Sequence, residues 1–65
     1  MNLREARFKR GLTQFDLRLK TGIHQATISH FERGYLIPDD DKKKKLAKAL
    51  GMIPKHIDWD NGRLG

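Results

Sequence analysis

The stretch LTQFDLRLKTGIHQATISHFERG, residues 12–34, decides how this chain is read. It contains two helical patterns separated by one glycine. Thr13 is placed to cap the first pattern, and Asp16 follows three residues later, the arrangement of a capping box. Leu12 before the cap and Leu17 after it have the spacing of a hydrophobic staple. Gly22 stands where a helix C-terminus takes a left-handed residue, so the first helix is only about two turns long. Ile23 restarts the apolar pattern. A second helix opens at His24 or Gln25 and closes near Arg33 and Gly34. Two short helices joined through a tight turn make a helix-turn-helix.

The second helix has an unusual polar face. On a helical period Gln25, Ala26, Ser29, His30 and Arg33 fall within an arc of about 140°, with Ile28 and Phe31 on the opposite side. A face that met only water would be richer in Lys and Glu. Short side chains keep the backbone close to whatever this face touches. Gln pairs bidentately with adenine, Ser and His donate to base edges, and Ala packs on a thymine methyl. The face therefore reads as a set of base contacts for the major groove. The competing reading is the solvated side of an ordinary amphipathic helix. Gln14 tilts the balance toward the first, because it opens the preceding helix where a phosphate can bind.

The flanking sequence continues the helical reading. Leu3, Ala6, Arg7 and the stem of Arg10 recur at helical spacing, with Asn2 as a cap and Gly11 as a stop. YLIPDDD is a loop, since Pro38 forces an extended residue before it and removes a donor. Asp39 can cap a fourth helix over 40–50, ended by Gly51. Asp40 with Lys44 and Asp41 with Lys45 have i, i+4 spacing. Pro54 is placed to start a short fifth helix running through Trp59. Strand-like alternation is absent. The expected architecture is all-α, a compact bundle of five short helices with the helix-turn-helix at the second and third.

Length and composition narrow the function. A chain of 65 residues is a single domain, 1–65, and so small a domain is marginally stable. With no cysteine there is no disulfide and no thiolate ligand. Fourteen Lys and Arg against eight Asp and Glu leave a net charge of +6, which favours a polyanionic partner. No apolar run approaches the roughly 18 residues of a membrane span. Met1 to Arg10 is charged throughout, which does not fit a signal peptide and predicts a cytoplasmic chain without membrane attachment. His24 and His30 lie on different sides of one helix and cannot chelate together, so no metal and no cofactor is expected. A catalytic centre needs a pocket, and this chain has little room for one; no enzyme and no catalytic residue is expected. The KKKK run, 42–45, reads either as a phosphate patch or as a solvated face neutralised by its own DDD. Trp59 is either a lid on the core or part of a dimer contact.

Residues 12–34 resemble the helix-turn-helix of the Cro and phage-repressor (XRE-like) DNA-binding domains. The resemblance spans roughly residues 2–62. It is carried by Leu12, Gln14, Leu17, Gly22, Gln25, Ile28, Glu32, Gly34, Pro38, Leu46, Ala47, Leu50 and Gly51. It implies a repressor-like fold, double-stranded DNA as partner, a palindromic operator and a homodimer at least when DNA-bound. Gln25, Ala26, Ser29 and His30 match base-contacting positions. Thr13, Gln14, Arg33 and Tyr35 fall along the phosphate backbone. Gln14 is also implied to brace Gln25, while Arg7 and Glu32 match a partly buried ion pair between the first and third helices. Helix five and the tail, with Ile57 and Trp59, are the implied dimer surface.

Two residues depart from the family pattern. Arg18 stands where Ala is usual, so it must snorkel outward or hold the two helices further apart. Asp40 and Lys43 stand where apolar residues are common, so the first half of the fourth helix should add little to the core and should fray. The alternative function is a protein-interaction module, such as the antitoxin of a toxin–antitoxin pair, whose protein partner would use apolar surface at Leu36, Ile37 or Trp59.

Overall fold

The computed structural model describes residues 1–59. It contains four helices: α1 Leu3–Lys9, α2 Gln14–Thr21, α3 Gln25–Glu32 and α4 Asp40–Leu50. A 3-10 turn, Pro54–His56, follows them. No strand forms among the described residues, and none of their helices is long and apolar enough to cross a membrane.

Each helix begins and ends where its local chemistry dictates. Asn2 Oδ1 accepts from the Glu5 N–H at 2.8 Å, and Glu5 returns the bond to the Asn2 N–H at 2.9 Å. Thr13 and Asp16 form the same reciprocal pair at α2, at 3.0 and 2.8 Å. These bonds satisfy N–H groups that a helix start otherwise leaves without partners. Gly22, at φ +77°, ends α2 in the left-handed region and turns the chain into α3. An added Cβ there would meet nothing within 4 Å, so glycine serves the backbone angle and not a close approach.

The core lies where the four helices converge. Leu17, Ile28, Leu46 and Leu50 are its most enclosed large side chains. Leu3, Ala6, Ile23, Phe31, Ala47 and Ile57 complete it, and Leu12, Ala49, Met52 and Trp59 pack on its margin. α3 packs on both α1 and α2, and α4 packs on α2. The buried residues of α4 all come from its second half, Leu46, Ala47 and Leu50. Its first turn is formed and capped: Asp39 Oδ1 accepts from the Lys42 N–H at 2.9 Å.

The fifth helix is corrected to a single 3-10 turn. Pro54 starts it as expected, but Ile57 is already extended (φ −113°, ψ 131°). A two-turn helix is too short to be held by its own hydrogen bonds. Burying Ile57 and pairing the following residue serve the segment better. The Asp58 N–H donates to the Met1 carbonyl at 2.8 Å, and the Met1 ammonium lies 3.3 Å from the Asp58 carboxylate. The N-terminus is thereby clasped to the chain after α4. Ile57 is only 3% exposed, which removes it from the expected dimer surface. Trp59 lies half-buried and donates its indole N–H to the Pro54 carbonyl at 3.0 Å. The tail beyond Trp59, the rest of the expected dimer surface, lies outside the described residues.

Candidate nucleic-acid interface

A buried polar junction holds α1, α2 and α3 in register. Arg7 Nε donates to Glu32 Oε2 at 2.7 Å, and a second Arg7 nitrogen donates to Oε1 at 3.1 Å. This is the bidentate geometry in which a guanidinium fits a carboxylate. The third bond from Arg7 goes to the Leu12 carbonyl at 2.9 Å, just ahead of the α2 cap. Gln14 donates its amide to Glu32 Oε1 at 3.1 Å. The Arg7 and Glu32 side chains are 9% and 4% exposed, so the charges are nearly dry and depend on each other. The implied brace from Gln14 to Gln25 is not among the hydrogen bonds of the structure; one Gln14 amide hydrogen goes to Glu32 instead.

On this frame the polar face of α3 turns outward. Ile28 and Phe31 go to the core, Gln25 and Ser29 are half-exposed, and Ala26 and His30 are exposed. Gln25, Ala26 and Ser29 line one shallow groove together with Gln14, Arg18 and His24. Arg18 thus resolves its unusual position by reaching outward, and α2 and α3 still pack directly. His24, at the expected helix boundary, is the cap of α3. Its Nδ1 accepts from the Ala26 N–H at 3.1 Å.

The remaining expected residues divide between two places. His30 lies outside the groove and leans on Tyr35, with ring centroids 5.9 Å apart. The Tyr35 N–H also donates to the His30 carbonyl at 2.9 Å, which ties the loop to the end of α3. Arg33 turns the other way, into a cleft of about 240 Å3 shared with Arg4, Arg7, Gln14, Ser29 and Glu32. Thr13 is exposed at the α2 N-terminus with its oxygen engaged in the cap.

Sequence reading missed Arg4 and left Arg18 without a function. Both belong to this surface only because separate helices bring them there. The cap carboxylates carry the clearest electrostatic signature. The Thr13 backbone N–H, then its side chain, hold Asp16 below the usual carboxylate range. The Lys42 backbone N–H does the same for Asp39.

A helix-turn-helix family model matches residues 3–55, which covers all four helices and the Arg7–Glu32 junction. No curated protein and no solved structure gives a significant match.

Proposed function

Because this chain belongs to the Cro/C1-type (XRE-like) helix-turn-helix family, a DNA-binding family of transcription regulators, we propose that it reads operator sequence by inserting α3 into the major groove. One observation carries the reading. The short hydrogen-bonding residues of α3 face outward around one groove with Gln14 and Arg18, on a helix pinned from behind by Arg7 and Glu32. In this reading Gln25, Ala26 and Ser29 touch base edges. His30 and Tyr35 work as a pair at the groove margin. Gln14, Thr13, Arg18 and Arg33 meet the backbone.

The operator is a palindrome bound by two copies, since a helix-turn-helix dimer places its two reading helices one turn of DNA apart. With Ile57 buried, the dimer surface falls to the exposed Leu36 and Ile37, with Trp59 beside Ile37 in one shallow cleft. Selection of bound duplexes from a random pool tests the whole proposal. An enriched inverted repeat supports it. Enrichment of a single half-site removes the dimer, and no enrichment removes sequence reading.

A further inference from the structure

We propose that the cleft between α1, α2 and α3 is a built phosphate site, in which Arg4 and Arg33 clamp one DNA backbone phosphodiester per subunit. The proposal rests on the DNA-binding reading above and adds a residue, Arg4, that the reading did not include. The cleft is lined by Arg4, Arg7, Gln14, Ser29, Glu32 and Arg33. Glu32 is its single anion, and Arg7 already occupies that carboxylate with two hydrogen bonds. Counting charges, the Arg7–Glu32 pair sums to zero and Arg4 and Arg33 remain, so the cleft keeps a surplus of two positive charges. Neither Arg4 nor Arg33 has a carboxylate within salt-bridge distance among the described residues.

Arg4 is also positioned. Its guanidinium lies 5.4 Å from the centroid of the Phe8 ring, and that of Arg7 lies 4.6 Å from the same ring. A guanidinium within about 6 Å of a ring face is attracted to it. Phe8, itself 59% exposed, serves as the platform that keeps Arg4 at the cleft instead of free in water. The neutral donors are present too. Gln14 spends one amide hydrogen on Glu32 and has a second, and the Ser29 hydroxyl lines both this cleft and the groove beside Gln25. Two guanidinium forks with amide and hydroxyl donors suit a tetrahedral oxyanion. Ser29 then links phosphate anchoring to base reading, because the residue that closes the phosphate site also borders the reading groove.

A DNA phosphodiester and free inorganic phosphate share this chemistry, and the experiment separates them. Duplex affinity is titrated between 50 and 200 mM salt for the wild type, Arg4→Gln and, as a charge control, Lys48→Gln on α4, which does not line the cleft. Each phosphate contact contributes about 0.9 to the slope of log K against log salt. Arg4→Gln is expected to reduce the slope, by at most about 0.9 per subunit because Arg33 still faces the phosphate, while Lys48→Gln leaves it unchanged. Arg4 is exposed, so the variant keeps its fold, which circular dichroism verifies. In parallel, inorganic phosphate is added against chloride at equal ionic strength while the arginine Nε–H resonances are followed. Saturable shifts at Arg4 and Arg33 in the wild type, with the Arg33 shift lost in Arg4→Gln, support the site. Phosphate shifts with an unaltered duplex slope in Arg4→Gln make it a free-anion site and overturn the clamp. Equal slope losses in Arg4→Gln and Lys48→Gln reduce it to net charge and overturn it as well. In both cases the DNA-binding reading stands. A wild type that binds no duplex overturns that reading and the clamp together.

Discussion

Two charged regions of this domain use the same chemistry with opposite consequences. Arg7 and Glu32 meet at 2.7 Å with side chains almost fully enclosed. Lys45 and Asp41 meet at 3.3 Å with side chains 53% and 73% exposed, and Lys42 with Asp39 is similarly open. In water the attraction is screened, and ordering two long side chains consumes most of it. Away from water the same attraction is strong, but each charge is dangerous without the other. The first pair therefore fixes where α3 stands, and the second decorates a helix that its cap already holds. The difference is set by burial, not by the residues themselves.

The largest expected effect isolates the buried charge. Arg7→Ala leaves Glu32 enclosed with only the Gln14 amide, and removing one partner of a buried pair costs about 3–5 kcal/mol. A core this small supplies roughly that much in total. The variant should be largely unfolded at room temperature by circular dichroism and urea titration. A melting midpoint equal to the wild type would erase the contrast between the two regions. Replacing both partners sharpens it. Arg7→Met with Glu32→Leu removes the charges and keeps the volume, and buried pairs so treated are often neutral or better in stability. The double variant should regain most of the stability that Arg7→Ala loses, with the Leu12 carbonyl as the one acceptor left wanting. If it is as unstable as the single variant, the hydrogen bonds to Leu12 and Gln14 matter more than the charges.

Acid should act on the helix caps. Asp16 and Asp39 both have folded-state pKa values below their ordinary value of 3.8. A depressed pKa means stability that is present above the unfolded value and lost as pH falls through the folded one. Stability should hold through neutral pH and decline below about pH 4. Asp16→Asn and Asp39→Asn should flatten that decline in urea titrations at several pH values. An unchanged acid limb in both variants would take the caps out of the acid response. The smallest effect belongs to the exposed pair. Lys45→Ala should shift stability by no more than about 0.5 kcal/mol, and the shift should vanish in high salt. A loss above about 1 kcal/mol would place Lys45 outside the range of exposed pairs.

Local chemistry was legible in the sequence wherever it acts over three or four residues. Thr13 with Asp16, Gly22, Asp39 and Gly51 all sit at helix ends in the structure, because caps depend on neighbours in the chain. The helix-turn-helix and the inward turn of Ile28 and Phe31 follow from the same short periods. Relations between separated segments were less visible. The helix expected from Pro54 through Trp59 gave way to the pairing of Asp58 with Met1, a contact across nearly the whole described chain. Ile57 went to the core for the same reason. Gln14 chose Glu32 over Gln25, and Arg4 met Arg33, only because three helices converge on one junction. Periodicity places a side chain on a face but cannot name the atom opposite it.

The most direct test of α3 as the reading helix is duplex selection from a random pool, run side by side with the wild type and Gln25→Ala. Gln25 lines the groove and lies outside the enclosed core, so its loss leaves the fold in place. A bidentate Gln–adenine pair is worth about 1–3 kcal/mol of discrimination. The account predicts that Gln25→Ala loses preference at one base pair in each half-site and keeps the rest of the palindrome, with non-specific affinity nearly intact. A uniform loss of affinity across all sequences, with the preference pattern unchanged, would contradict it.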